Sequence, residues 1–346
     1  MRRAIGLPTV VALLLAVPAA RSASHADLHV RVGDGWVGWW SARAAPVAWD
    51  GTPTLLARAV TWSPYGPGLD LGLAELSAPG EGRRTRLVVA RLDPRRFRLS
   101  LATALTPDMV LPDWSVDRAP GSAAFAVNAG QFSGVAPWGW LVMGGREVRP
   151  PGRGPLSGAV IVGDDGSVRL VPTGEIPSAR ARGGIRFAFQ SYPTLLEQGG
   201  RVPVALRQPR SGIDLEHRDA RLGLGVLDDG RLLFAMTRFR GLGAPGEVLP
   251  LGLTNPEMAA VMGALGCRTA VALDGGLSAQ LLVRNPEGRV RVWRGLRAVP
   301  LGLIAEPQAT SLEPPLDFAR GALSRVEGRE PTRPRPLNAS KPRAQR

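Results

Sequence analysis

The chain has few of the residues that build disulfide frameworks, zinc sites or histidine-based catalytic centres. Its 346 residues include one cysteine, Cys267, and three histidines, His25, His29 and His217. A lone cysteine excludes an intramolecular disulfide, and no cysteine is available for lipidation of a signal peptide. The sequence contains no His-Glu-x-x-His helix, no Cys/His zinc set and no Gly-x-Ser-x-Gly motif. We therefore expect no cofactor and no metal cluster, although one Asp with backbone carbonyls could bind calcium.

Lysine is almost absent as well, since Lys341 is the only one among 43 basic side chains. The formal net charge of +14 would by itself suggest a nucleic-acid partner. Much of the arginine, however, is spread singly along the chain, and the clearest concentration is at residues 320–346, with eight basic and two acidic side chains. Nucleic acid is therefore a disfavoured partner, and attraction to an anionic envelope polymer explains the charge at least as well.

Long apolar runs are missing except at the N-terminus. Arg2 and Arg3 precede an apolar run over residues 4–17, and small residues follow, so that cleavage after Ala20 or Ala26 fits. The run is too short to span a membrane comfortably and has the pattern of an export signal. We expect residues 1–26 to be a signal peptide and the protein to be exported, periplasmic or extracellular, with no membrane span after cleavage. An uncleaved anchor is the alternative.

What the chain has instead is a succession of short apolar runs separated by turn residues. Asp-Gly between two such runs is a strong hairpin signal because the turn needs positive φ at its centre. A further strand is predicted at 124–127. The predicted hairpins pair 86–92 with 97–102, 159–162 with 168–171, 222–227 with 231–236, and 281–283 with 290–293.

One helix is well marked. Thr254 and Glu257 form a capping-box pattern around Pro256, apolar residues recur at helical spacing, and Gly266 ends the segment. Residues 191–198 are interpreted as another short helical turn. Many hairpins and few helices predict an α+β fold, a single domain on a mixed or antiparallel sheet.

The domain is expected over residues 69–306. Residues 27–68 are rich in tryptophan and are expected to pack on the domain or lead into it, with a sugar-stacking surface as the alternative. Residues 307–346 are rich in Pro and Arg, which predicts a disordered tail.

Two segments can carry chemistry. An apolar strand ends in Asn128, followed by Ala129 and Gly130, and another ends before Asp274, followed by Gly275 and Gly276. Glycines at such positions permit positive φ and close approach of a ligand, and consecutive backbone N–H groups can hold a phosphate oxygen. A purely structural turn is the alternative for each segment.

Together with three further motifs, these segments resemble the phosphodiester glycosidase family, which includes the lysosomal uncovering enzyme, and in particular its uncharacterised bacterial branch. The resemblance covers residues 69–303. It is carried, in order, by Asn128-Ala129-Gly130-Gln131-Phe132, Pro137-Trp138-Gly139, Gln190-Ser191-Tyr192-Pro193, Arg221-Leu222-Gly223-Leu224-Gly225 and Leu273-Asp274-Gly275-Gly276-Leu277-Ser278.

The sequence departs from the family pattern at three positions. Gln131 stands where a hydrophobic residue is usual, Tyr192 replaces a common Gly, and Leu222 replaces a polar residue. Bulk at positions 192 and 222 is expected to narrow or reshape the pocket. The resemblance therefore supports the fold better than it supports a particular substrate.

The resemblance implies hydrolysis of a sugar-1-phosphodiester to free sugar and a phosphomonoester, through an oxocarbenium-like transition state. Asp274 is the candidate base or nucleophile, and Arg221 the candidate phosphate ligand, since its planar fork suits phosphate oxygens. Asn128 is expected to hold a sugar hydroxyl or acetamido group. Binding roles are expected for Gly130, Gln190, Ser191, Gly275, Gly276 and Ser278.

The second carboxylate is left open by the sequence. Asp214, Glu216 and Asp219 precede Arg221, Glu175 lies in a loop, His217 is a candidate acid, and Arg186 is a further candidate for the pocket.

Two functions stay open. The first is an exported hydrolase acting on sugar phosphodiesters or related envelope glycans. The alternative is a non-catalytic module of the same fold that binds anionic cell-wall polysaccharide.

Overall fold

The computed structural model describes residues 27–78, 83–103, 112–154, 156–208, 213–240, 249 and 251–308. The predicted signal peptide lies outside these ranges. So does the predicted tail, except for Pro307 and Gln308. Within the described residues, no helix is long and apolar enough to cross a membrane.

The described residues form mostly strands. Three α-helices accompany them: α1 (Leu55–Ala59), α2 (Ile176–Arg182) and α3 (Asn255–Ala264). The strands are β1 (Leu28–Val32), β2 (Gly35–Trp40), β3 (Thr61–Gly66), β4 (Leu69–Ala78), β5 (Arg83–Leu92), β6 (Phe97–Thr103), β7 (Phe125–Asn128), β8 (Phe132–Ser133), β9 (Ala136–Pro137), β10 (Leu141–Met143), β11 (Arg146–Arg149), β12 (Gly158–Gly163), β13 (Val168–Pro172), β14 (Ile185–Ser191), β15 (Thr194–Leu196), β16 (Leu222–Leu227), β17 (Leu232–Phe239), β18 (Cys267–Leu273), β19 (Leu281–Arg284), β20 (Val290–Trp293) and β21 (Leu301–Pro307).

These strands form three larger sheets and the two-stranded ribbon β8–β9. The largest sheet has the order β15-β18-β16-β17-β5-β4-β1-β2, with β3 also paired to β4. The second sheet has the order β11-β10-β14-β12-β13, and the third β20-β19-β7-β21-β6. The prediction of a single α+β domain on an antiparallel sheet with few helices is confirmed.

The three sheets share one apolar core. Alternate residues of each strand point to opposite sides of a sheet, and β5 shows the consequence. Val88 and Ala90 belong to the shared core, together with residues of the second and third sheets such as Phe189 and Val127. Leu87 of the same strand belongs to a second apolar cluster, which includes α1 and α3.

Helix α3 begins and ends as its sequence predicts. The Thr254 hydroxyl accepts a hydrogen bond from the Glu257 N–H, and the Glu257 carboxylate accepts one from the Thr254 N–H, which completes a capping box. Gly266 follows the helix with φ +92°. The helix packs closely on β16, where a Cβ added to Gly223 would lie 3.0 Å from Met258 Cε. The Arg-x-Gly-x-Gly motif thus provides space for a helix.

Three of the four predicted hairpins are confirmed, and one is wrong. β12–β13, β16–β17 and β19–β20 pair as antiparallel neighbours. β5 and β6 do not pair, because β5 already has β4 on one side and β17 on the other, and β6 pairs with β21 in a different sheet. The turn at 94–96 therefore transfers the chain between sheets.

The short helix predicted at 191–198 is also wrong. These residues contain the end of β14, a cis peptide bond before Pro193, and strand β15, which pairs with β18. Pairing with the edge of a buried strand outweighs the weak local preference for a helical turn.

Residues of the tryptophan-rich segment form β1, β2, α1 and β3. β1 and β2 lie at one end of the largest sheet, with Trp40 buried. Trp49 contacts α3 at Gly263, where an added Cβ would lie 2.1 Å from the indole ring.

This contact predicts the effect of Gly263→Ala. In an exposed helix interior the change would stabilise the protein by about 1 kcal/mol. Here the methyl group would overlap the Trp49 ring, so we expect a loss of about 1–3 kcal/mol in the free energy of unfolding, measured by urea denaturation.

Gly174→Ala is the matched control, because no atom lies within 4 Å of its added Cβ. A Gly263→Ala protein as stable as the wild type would contradict the packing of Trp49 against α3.

Candidate active site

Two strand ends meet at the site and are tied together by one buried carboxamide. Asn128 ends β7, and Asp274 directly follows β18. The Asn128 Nδ2 donates to the backbone oxygen of Asp274 at 2.8 Å, and its Oδ1 accepts from the N–H of Gln280 at 3.0 Å. The Asp274 N–H donates to the backbone oxygen of Gly130 at 3.1 Å. These bonds fix the main chain from which the Asp274 carboxylate projects.

Asp274 lines a cavity of about 260 Å³ that also holds a second carboxylate and a guanidinium. The second carboxylate is Asp219, and the guanidinium belongs to Arg297. Ser278 and Phe132 lie in the same wall. The cavity therefore combines two acidic groups with one cation. It lies beside the Asp-Gly-Gly motif that begins at Asp274.

The Asp274 carboxylate titrates well above its ordinary range. Burial raises its pKa to about 6, and the negative charge of Asp219 adds to the increase. A hydrogen bond with the Ser278 side chain and the charge of Arg297 act in the opposite direction. A carboxylate with this pKa can gain and lose a proton near neutral pH, as general acid–base chemistry requires.

Asp219 is the second carboxylate that the sequence left open. Burial raises its pKa, whereas Arg221, the Ala220 N–H and His217 lower it. The Asp219 Oδ1 accepts a hydrogen bond from the Ala220 N–H at 2.8 Å, and its Oδ2 lies 3.7 Å from His217 Nε2. His217 is thus adjacent to the acidic pair but lies in the wall of another cavity.

Gly275 and Gly276 bring Asp219 to the cavity. The Gly276 N–H donates to the backbone oxygen of Ala220 at 2.7 Å. A Cβ on Gly275 would lie 2.3 Å from that same oxygen, and Gly276 has φ +57°. Only glycine, which has no side chain, lets two backbone segments approach this closely. The approach places Asp219, which precedes Ala220, beside Asp274, which follows β18.

Arg297 was not among the predicted site residues. Its guanidinium carbon lies 4.7 Å from the centre of the Phe132 ring. Its side chain has no hydrogen bond or ion pair within the part of the chain that the structure describes. The N–H of Arg297 donates to the Leu277 oxygen at 3.0 Å, which anchors the residue to the glycine turn. The residue lies outside any strand, so no sequence pattern marked it.

Gln190 and Ser191 do not line this cavity, contrary to the expectation that they complete its polar wall. Gln190 is buried, its Oε1 accepting from the N–H groups of Trp140 and Gly152 and its Nε2 donating to Gly152 and Ser157. The Ser191 hydroxyl donates to the Ala272 oxygen at 2.6 Å. The Gln190 side chain thus anchors the chain segments that flank the second sheet, and Ser191 joins β14 of that sheet to β18 of the largest sheet.

Gly130 and Asn128 are also placed differently from expectation. Gly130 has φ +66°, and an added Cβ would lie 3.2 Å from the Gln190 backbone oxygen, so the residue serves the tight turn. The Asn128 carboxamide bonds backbone on both sides and does not line the cavity. Of the predicted binding residues, Gly275, Gly276 and Ser278 do line it with Asp274.

Arg221 faces a separate cavity. Its Nε donates to the Leu253 oxygen at 2.8 Å and its Nη2 to the His217 oxygen at 2.5 Å. Burial lowers the pKa of its guanidinium, while Asp219 and Asp214 raise it. The expected phosphate ligand therefore holds backbone beside Asp219 and does not share the cavity with Asp274.

The remaining sequence candidates lie outside the acidic cavity. Asp214 accepts hydrogen bonds from the N–H groups of Glu216 and His217, Glu175 precedes α2, and Arg186 is on β14. Among the described residues, no group of three or more His, Cys, Asp or Glu side chains is arranged to hold a metal ion.

Comparison with known protein families assigns the chain to one of them. A family model described as phosphodiester glycosidase matches residues 121–305, which is more than half of the chain. The chain belongs to the phosphodiester glycosidase family. The matched range includes Asn128, Asp219, Asp274 and Arg297. No curated protein matches the chain significantly.

A solved structure shows a similar fold at low sequence identity. The catalytic domain of zebrafish N-acetylglucosamine-1-phosphodiester alpha-N-acetylglucosaminidase, solved auto-inhibited by its pro-peptide, is 16% identical with a TM-score of 0.53; the match covers 72% of this chain and 88% of that one. A hypothetical protein from Synechocystis is 15% identical with a TM-score of 0.44, covering 72% of this chain and 64% of that one. The chain thus spans less than two thirds of the Synechocystis protein.

The raised pKa of Asp274 predicts how Asp274→Asn changes stability with pH. When folding raises the pKa of a carboxyl, the protein's free energy of unfolding falls as pH rises from the pKa of the unfolded state, near 4, to that of the folded state, about 6. Asparagine does not titrate, so the free energy of unfolding of the variant does not decrease in this way. We expect it to exceed the wild type by about 2–3 kcal/mol at pH 7, with the difference declining below pH 6 and vanishing near pH 4.

Urea unfolding at several pH values measures this difference. Asp165→Asn is a control in which the pH dependence has the opposite sign. Hydrogen bonds from Ser167 lower the pKa of Asp165, so the contribution of this carboxylate to the free energy of unfolding is lost as pH falls. An Asp274→Asn protein no more stable than the wild type at pH 7 would contradict the burial of this carboxylate.

Proposed function

We propose that the protein is an exported hydrolase that cleaves sugar-1-phosphodiesters or related envelope glycans. The observation that carries the proposal is the cavity in which Asp274, Asp219 and Arg297 meet, within a phosphodiester glycosidase fold. The zebrafish protein of similar fold is named for an N-acetylglucosamine-1-phosphodiester. We propose that this chain cleaves the same class of bond, and we do not assign it the same sugar.

The two kinds of charge in the cavity suit the two parts of such a substrate. Arg297 would bind the phosphate oxygens, because its guanidinium is held over Phe132 and forms no ion pair within 4 Å among the described residues. Asp274 would face the anomeric carbon as base or nucleophile. Asp219 would supply the second carboxylate that glycoside hydrolysis ordinarily uses.

The proposed reaction breaks the bond between the anomeric carbon and the phosphate oxygen. The bonding electrons leave with the phosphomonoester, whose negative charge grows beside Arg297, and water supplies the new hydroxyl of the sugar. A phosphate is a good leaving group, so protonation of the departing oxygen is not required. The proton of the water passes to the carboxylate pair and from there to solvent.

Export and an envelope substrate are proposed from the sequence. The basic and apolar N-terminal pattern supports export, and the net charge of +14 supports attraction to anionic polymers. A non-catalytic binding module of the same fold would require neither carboxylate, and this difference makes the two functions separable.

The test measures release of free sugar from the methyl phosphodiesters of several sugar 1-phosphates, including N-acetylglucosamine. We expect turnover by the wild type and a loss of about a thousandfold in kcat for Asp274→Asn, since its carboxylate takes part in the chemical step. Arg297→Ala should lower kcat/KM by about a hundredfold by removing the phosphate ligand, and Arg297→Lys should recover part of it.

Arg289→Ala is the matched control, since Arg289 is exposed in the β19–β20 turn and should leave kcat/KM unchanged. Absence of turnover, together with equal binding of wall glycan by the wild type and Asp274→Asn, would replace the hydrolase with the binding module.

A further inference from the structure

The three departures from the family pattern lie outside the walls of the acidic cavity. Leu222 is buried in the core, and Tyr192 lines the separate cavity that Arg221 faces. Gln131 donates from its Nε2 to the backbone oxygen of Tyr192 at 3.1 Å. Bulk at positions 192 and 222 therefore does not narrow the acidic cavity, contrary to expectation.

Arg297, which does line the acidic cavity, belongs to a segment that no strand contains. Strand β20 ends at Trp293, and the chain reaches its next bridge only at Val299. Residues 294–298 lie outside every ladder that the described residues form. The position of Arg297 in the cavity wall therefore depends on individual hydrogen bonds.

Two of these hydrogen bonds come from the main chain of the segment itself. The backbone oxygen of Leu277 accepts from the N–H of Leu296 at 2.7 Å and from the N–H of Arg297 at 3.0 Å. A Cβ on Gly295 would lie 2.8 Å from the same oxygen, so the close approach favours glycine there. The segment thus lies directly against the turn that follows Asp274.

The side chain of Gln280 completes this junction from inside the protein, where it is 1% exposed. Its Nε2 donates to the backbone oxygens of Ser278 at 3.3 Å and Arg297 at 3.4 Å. Its Oε1 accepts from the N–H of Val116 at 2.8 Å. One buried carboxamide thus joins the backbone of Arg297 to that of Ser278, whose side chain hydrogen-bonds Asp274.

A buried guanidinium holds the same segment from the largest sheet. Arg238 on β17 is 2% exposed, and its Nη2 donates to the backbone oxygens of Ala279 at 2.7 Å and Arg294 at 3.0 Å. The Arg294 side chain in turn lies 2.8 Å from the carboxylate of Asp117. Arg238 therefore ties the segment to the turn three residues before Arg297.

These main-chain contacts matter because the Arg297 side chain is long and exposed. Its guanidinium rests on the Phe132 ring and forms no ion pair within 4 Å among the described residues. A long side chain has many rotamers, and a ligand group has to be held within about 0.5 Å of its working position. A backbone fixed at 294–297 reduces the space that the guanidinium can explore.

We propose that Gln280 and Arg238 are positioning residues that hold Arg297 in the wall of the acidic cavity. They do not line the cavity and act through the main chain of residues 294–297. The inference rests on the proposed function for the role of Arg297 as phosphate ligand. It adds that phosphate binding depends on two buried side chains outside the cavity.

Gln280→Met tests the inference, since methionine is similar in size and lacks the carboxamide. We expect kcat/KM for the methyl phosphodiesters of sugar 1-phosphates to fall about tenfold, because the phosphate ligand is less well placed. In an Arg297→Ala background the same change should have no further effect, since the group that it positions is gone. Losses that add in the double variant would overturn the inference.

Substitutions of Arg238 separate positioning from folding. Arg238→Met should lower kcat/KM about tenfold, whereas Arg238→Lys keeps a donor and should retain most of the activity. Arg284→Met is the matched control, because Arg284 bonds the backbone oxygens of Pro120, Gly121 and Ala123 at the other end of β19. It should lower stability and leave kcat/KM unchanged.

Equal losses of kcat/KM in Arg238→Met and Arg284→Met would overturn the inference in favour of a general structural role. Far-UV circular dichroism verifies the fold of each variant. If Arg238→Met does not fold, the Gln280 measurements decide.

The pKa of Asp274 gives a readout that needs no turnover. The charge of Arg297 lowers this pKa, whereas burial and the charge of Asp219 raise it. Displacement of Arg297 should therefore raise it above its wild-type value of about 6, in Gln280→Met as in Arg297→Ala. Carbon-13 NMR of the carboxyl group measures it. An unchanged pKa in Gln280→Met, beside a raised one in Arg297→Ala, would overturn the inference.

The outcomes separate this inference from the proposed function. If the pKa of Asp274 rises as expected but no phosphodiester is hydrolysed, the positioning is supported and the function is removed. If phosphodiesters are hydrolysed and Gln280→Met matches the wild type in both kcat/KM and pKa, the function is kept and the inference is overturned.

Discussion

The arrangement of the site depends on the buried Asn128 carboxamide. It donates to the backbone of Asp274 and accepts from the backbone of Gln280, so it joins the end of a strand in the third sheet to the turn after β18 in the largest. A carboxamide can do this because it carries a donor and an acceptor on one planar group. The expected contact of Asn128 with a sugar gives way to a positioning role that acts through Asp274.

The electrostatics of the cavity depend on the position that these hydrogen bonds give to Asp274. Two carboxylates that share a small space cannot both ionise without cost, so burial and their mutual repulsion raise the pKa of Asp274 to about 6. Arg297 and the Ser278 hydroxyl limit the increase. The same groups that destabilise the ionised carboxylate also prepare it for chemistry near neutral pH, which links a stability cost to the proposed activity.

Sequence patterns predicted those parts of the structure that local interactions determine. The capping box of α3 and the Asp-Gly turn of the β16–β17 hairpin lie within a few residues of the groups they bond. The supposed pairing of β5 with β6 failed because distant strands occupy both edges of β5. Asp274 was found because it follows a marked strand and belongs to one of the motifs that carry the family resemblance. Arg297 was missed and Asp219 was one of several candidates, since long-range folding brings them together, and Gln190 is as polar as a ligand residue yet bonds internally.

The most direct test of this account is the unfolding free energy of Asn128→Asp as a function of pH. Above the pKa of the new carboxyl, a carboxylate would face the Asp274 oxygen without a proton to donate, and the buried charge should cost about 3 kcal/mol or more. At low pH the protonated acid can donate again, so the loss relative to the wild type should shrink. Equal stability of variant and wild type at pH 8, or a loss independent of pH, would contradict the role of this hydrogen bond.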